Sequence, residues 1–199
     1  MSFLESGFEM KSYRERFIKN HRQERQLANT RKGYRNVLIY TGDFYTWDPP
    51  KGTITSVRHI FAVLELITII LFVLSSIPGS IISYSYLVMA GAILSVVAWA
   101  FEAYGAVPFC FAKLPMQEDD FAHVRWMFRI ATPIRFICLM FAAVTGFICL
   151  TEKGFEIAGT LAAAGYFLTA LIALYLFISF VKLSKYVKVI SNSENPGPK

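Results

Sequence analysis

Four apolar windows, at about Val57 to Ile77, Ile81 to Tyr104, Ile130 to Leu150 and Ile157 to Val181, decide what this chain can fold into. An apolar helix of about 20 residues rises about 30 Å, enough to cross the hydrocarbon layer of a bilayer. With 55% hydrophobic and 17% charged residues among 199, the chain lacks the polar surface that would keep four such helices in water. The sequence predicts an all-α integral membrane protein, a four-helix transmembrane bundle over residues 53–182. A basic arm over 1–52, a connection over 105–129 and a tail over 183–199 complete it.

The distribution of Lys and Arg sets the expected orientation. Eleven lie before or at the first window, from Lys11 to Arg58, three between windows two and three, and four after the last, whereas the two short turns between them hold only Lys153. Basic residues are retained on the cytoplasmic side. Both termini and the 105–129 connection are therefore expected inside, with the turns near Pro78-Gly79 and Thr151–Glu156 outside and the plasma membrane as the default location. The first apolar run follows more than fifty residues of basic and polar chain, so it reads as an uncleaved anchor and not as a signal peptide.

The arm carries nine basic residues, Lys11, Arg14, Arg16, Lys19, Arg22, Arg25, Arg31, Lys32 and Arg35, against Glu15 and Glu24. Met10, Tyr13 and Phe17 recur at helical spacing, which predicts a short amphipathic helix. Such a segment is drawn to anionic headgroups, by about 1 kcal/mol per basic residue near the surface. Nucleic acid is not the expected partner, because topology alone accounts for a juxtamembrane basic arm. Farther on, Val37–Tyr40 is β-prone and precedes Thr41-Gly42-Asp43, so a small hairpin is expected to turn there. Tyr40, Phe44, Tyr45 and Trp47 then read as interfacial aromatics. Thr53, Thr55 or Ser56 can cap the first membrane helix.

In the connection, Asp119 or Asp120 is expected to cap a helix on which Phe121, Val124 and Phe128 share a face, and Pro133 is expected to kink or break it. Glu118-Asp119-Asp120 supplies too few ligands for a metal ion by itself, and His21, His59 and His123 lack metal-site spacing. No metal or cofactor is expected. Cys110, Cys138 and Cys149 read as small buried hydrophobes.

Three charges lie inside the apolar windows: Glu65, Glu102 and Arg135. Counted from the basic residues that mark the inner boundary, Glu65 is seven positions past Arg58 and Arg135 six past Arg129, so both sit about 10 Å deep. A lone ionised group at helix-centre depth costs about 2.5–3.5 kcal/mol even on the lenient insertion scale. Pairing lowers that cost, and the planar guanidinium of Arg135 is expected to accept Glu65, Glu102 or both. Small residues at Ala90–Ala92 and Gly159–Gly165 would let helices approach closely.

Nucleophile-elbow, phosphate-loop and HExxH patterns are missing, and no catalytic residue is assigned. The expected function is a non-enzymatic membrane subunit or regulator. It has a charged intramembrane lock, an arm that touches lipid or a partner, and the option of a membrane-protein partner or homo-oligomer. The alternative is a small transporter or channel with a polar pathway at Glu65, Glu102 and Arg135. The two differ in whether a water-accessible cavity reaches Glu65.

Overall fold

The computed structural model describes residues 20–27, 34–49, 52–77 and 79–191. Four helices dominate: α1 (Ile54–Ser75), α2 (Tyr86–Phe111), α3 (Glu118–Lys153) and α4 (Ile157–Leu183). Each is long and apolar enough to cross a membrane. Their outward faces carry Leu66, Val73, Ile93, Ile137 and Leu161, all more than half exposed. Water would not tolerate such continuous apolar surface, whereas lipid requires it.

Local chemistry sets the helix ends. Thr53 caps α1, its hydroxyl accepting from the Ser56 backbone N–H at 3.3 Å. Glu156 accepts from the Ile81 N–H at 2.9 Å and so fixes the short 3-10 turn Ile81–Tyr84 that links α1 to α2. The α3 helix begins at Glu118, earlier than an aspartate cap would place it. Gln117 holds the cap position, and Glu118, Asp119 and Asp120 fill the first turn, where negative charge complements the positive end of the helix dipole. Pro133 does not break this helix, which runs unbroken for 36 residues, so the segments on either side of the proline are one element. The expected 105–129 connection shrinks accordingly, because α2 continues through Pro108 to Phe111.

The closest packing joins α2 to α3 and α3 to α4; α1 lies chiefly on α4 and touches α2 sparsely. Small residues allow it. A Cβ built on Gly91 of α2 would meet the Cys138 carbonyl oxygen at 3.0 Å and the Ala142 nitrogen at 3.1 Å on α3. Two apolar clusters fill the bundle. One is aromatic, built on Trp47, Phe61, Phe109, Phe121, Phe128 and Phe180; the other is mostly aliphatic and small, built on Ile82, Val88, Leu139, Ala142, Ala163 and Ala170.

Two compact units make up the chain, residues 45–188 and a second comprising 1–44 with 189–199. In the smaller one, β1 (His21–Leu27) pairs antiparallel with β2 (Tyr34–Tyr40), from His21 opposite Tyr40 to Leu27 opposite Tyr34. The hairpin therefore joins β1 to β2, and does not turn at Thr41-Gly42-Asp43 as the sequence suggested. Tyr40 donates its hydroxyl to the Asp43 carbonyl instead and packs edge-on against Phe44. A second sheet orders β3 (Phe44–Trp47) between β4 (Met116–Gln117) and β5 (Val187–Ile190). These strands are the fold's departure from an all-α bundle. The amphipathic helix expected around Met10, Tyr13 and Phe17 lies outside the described residues, as do Lys11, Arg14, Arg16, Lys19, Arg31 and Lys32. Arg22, Arg25 and Arg35 sit on the strands of the β1–β2 hairpin.

Candidate functional site

Between the two apolar clusters every helix contributes a polar side chain: Glu65 and Thr68 on α1, Ser95 and Glu102 on α2, Thr132 and Arg135 on α3, Thr169 on α4. On α3 the aromatic cluster ends at Phe128 and the small-residue cluster resumes at Leu139, so Arg135 occupies the layer between them. The same ordering holds on α2, with Ala106 on one side of Glu102 and Val88 on the other.

Glu65, Glu102 and Arg135 meet in this layer. Nη1 of Arg135 donates to Glu65 Oε2 at 3.0 Å and lies 2.9 Å from Glu102 Oε2 as an ion pair without hydrogen-bond alignment. One nitrogen thus serves both carboxylates, where the sequence suggested that the whole fork would be shared. Glu102 is fully buried and Arg135 is 2% exposed, while Glu65 keeps 13%. Nε and Nη2 of Arg135 have no hydrogen-bond partner among the described residues, and neither does Glu65 Oε1.

Neighbours absent from the sequence reading complete the network. Trp99 donates its indole N–H to Glu65 Oε2 at 3.1 Å, and Thr132 donates to Glu102 Oε1 at 2.9 Å. Thr68 donates to the Glu65 carbonyl at 2.7 Å, with a longer approach to its carboxylate. All three sit three positions from a charge on their own helix, Trp99 before Glu102, Thr132 before Arg135 and Thr68 after Glu65. Residues spaced by three share a helix face, and that spacing is the signal which could have found them.

The aromatics of the arm divide. Trp47 is 2% exposed and packs edge-on against Phe109 at 5.2 Å, while Tyr45 stacks on Phe121 at 5.0 Å. Trp47 is part of the bundle's aromatic cluster and the partly buried Tyr45 packs against it, while Tyr40 and Phe44 lie partly exposed in the smaller unit. At the same end, Arg58 donates from Nη2 to the Ala112 carbonyl, tying the start of α1 to the end of α2.

Two cavities border the triad. One, of about 200 Å³, is walled by residues of all four helices, among them Thr68, Ser95, Trp99, Arg135 and Thr169. The other, of about 220 Å³, lies between α1 and α2 and includes Glu65, Trp99 and Cys110 in its wall. Trp99 and Ile69 separate them, and the exposed lining of both is almost entirely apolar carbon. Among the described residues no group of three or more His, Cys, Asp or Glu is placed to hold a metal ion.

Comparison with known protein families, with curated proteins and with solved structures finds no match to this chain.

Proposed function

We propose that this chain is a non-enzymatic, multi-pass membrane subunit or regulator, whose intramembrane charges serve to hold one helix arrangement. The observation that carries this reading is the position of Arg135 Nη1, within 3.0 Å of carboxylates from two other helices. In lipid, apolar faces discriminate weakly between alternative helix registers, because the solvent is as apolar as the side chains. A charge triad discriminates strongly, since sliding any one helix by a turn leaves a buried charge unopposed. One cavity does reach Glu65, but the surface that it and its neighbour expose is almost entirely apolar, whereas ion pathways are built largely from carbonyl oxygens and charged side chains. That weighs against the transporter alternative.

On this reading both termini face the cytoplasm at the plasma membrane, as the Lys and Arg distribution suggests. The basic arm contacts anionic headgroups or a cytoplasmic partner. A rigid bundle with apolar outer faces acts by presenting surface to another membrane protein. Purification of the tagged chain in mild detergent is therefore expected to yield a second polypeptide in stoichiometric amount. A lone homo-oligomer that carries solute flux in proteoliposomes would overturn the proposal in favour of transport.

A further inference from the structure

Two carboxylates share one guanidinium nitrogen. Oε2 of Glu65 and Oε2 of Glu102 both lie within 3.0 Å of Arg135 Nη1, in a layer bounded on either side by apolar clusters. With every group ionised this layer would hold one positive and two negative charges. The fourth helix does not correct the balance, since α4 carries no charge from Ile157 to Val181 and brings only the Thr169 hydroxyl. The remaining titratable group in the cavity walls beside the triad is Cys110, and a thiol adds no positive charge in either form. An unbalanced charge at this depth is expensive, and carboxyl groups crowded on one site do not all ionise.

The hydrogen bonds distinguish the two acids. Glu65 Oε2 accepts from Arg135 at 3.0 Å and from the Trp99 indole at 3.1 Å, with Thr68 at 3.4 Å, and several donors aimed at one oxygen suit an ionised carboxylate. Glu102 is fully buried and receives one, from Thr132 to Oε1 at 2.9 Å. Its Oε2 has no hydrogen-bond partner among the described residues, although Arg135 Nη1 stands 2.9 Å away, and Glu65 Oε1 is likewise buried without one. We propose that the triad binds one proton, held on Glu102 Oε2 and donated to the Glu65 carboxylate, so that an ion pair and a neutral acid, with no net charge, join the three helices. The two carboxyl groups are near enough to hydrogen-bond. An O–H on Glu102 turns an oxygen that accepts nothing into a donor, and Glu65 Oε1 is the acceptor with free capacity, so a single proton satisfies two buried atoms.

This inference rests on the triad of the proposed lock, yet it fails or stands separately, because infrared absorption reads the proton and thermal unfolding reads the stabilisation. The test is the infrared spectrum of the full chain at neutral pH in dodecyl maltoside, a detergent with no carbonyl group of its own. A band from one protonated carboxyl per chain is expected, apart from the carboxylate bands, and it should move to lower frequency when the glutamate side-chain carboxyls are labelled with carbon-13. It should vanish in Glu102→Gln. It should vanish also in Glu65→Gln, where a single carboxylate faces Arg135 and the charges balance without a proton. The labelled wild type carries the test by itself if a variant does not fold. No such band, a band indifferent to the label, or a band that survives in either folded variant would each overturn the proposal.

Discussion

Arg135→Leu is expected to lower the stability of the bundle by about 3–5 kcal/mol, the range seen when one partner of a buried ion pair is removed. For a chain of this size that corresponds to roughly 10 °C in the unfolding midpoint. The loss exceeds that of the contacts themselves, because Glu102 is fully buried and Glu65 nearly so, and both would face apolar surroundings with no cation. Thr132 and Trp99 still donate to them, but two neutral hydrogen bonds do not replace a positive charge. Thermal unfolding in mild detergent reads the effect; a midpoint within a degree of wild type would remove the lock from the account.

Gly91→Leu should be as damaging for a different reason. The nearest atoms to a Cβ at this position are backbone, the Cys138 oxygen and Ala142 nitrogen of α3, together with the Ala142 Cβ at 3.0 Å. They cannot rotate away, so α2 and α3 must separate along their closest contact. Overpacking of this kind costs about 1–3 kcal/mol for a methyl-sized excess, and leucine asks for considerably more. Gly91→Ala should cost more than Gly159→Ala, where the 2.8 Å neighbour is the far end of a side chain, Cδ2 of Leu150, and not backbone. Equal midpoints for the two alanine variants would show that close approach at Gly91 does not organise the bundle.

The membrane helices were legible because lipid imposes a single rule, a long apolar run, and four runs obey it. Glu65, Glu102 and Arg135 were legible as a group for the same reason, since charge in such runs demands company. What escaped is what depends on rotation about each helix. Sequence gives depth from residue count but not which atom of Arg135 meets which carboxylate, so the sharing of Nη1 could not be foreseen. Trp47 illustrates a second limit. An aromatic next to a membrane helix fits the headgroup zone and a protein core equally well, and only the arrival of Phe109 and Phe121 beside it decides. Strand pairing shows a third. Tyr40 and Phe44 flank a good turn sequence, yet β2 found its partner in the polar segment His21–Leu27, whose composition carries little β signal.

The most direct measurement is the unfolding midpoint of the triple variant Glu65→Leu, Glu102→Leu, Arg135→Leu beside that of Arg135→Leu alone. If opposed charges hold the helices together, removing all three leaves no charge stranded, only the Trp99 and Thr132 donors without their carboxylate acceptors, and the triple variant should regain most of what Arg135→Leu loses. A triple variant as unstable as the single one would contradict the account, because the damage would then come from lost side-chain shape and not from stranded charge.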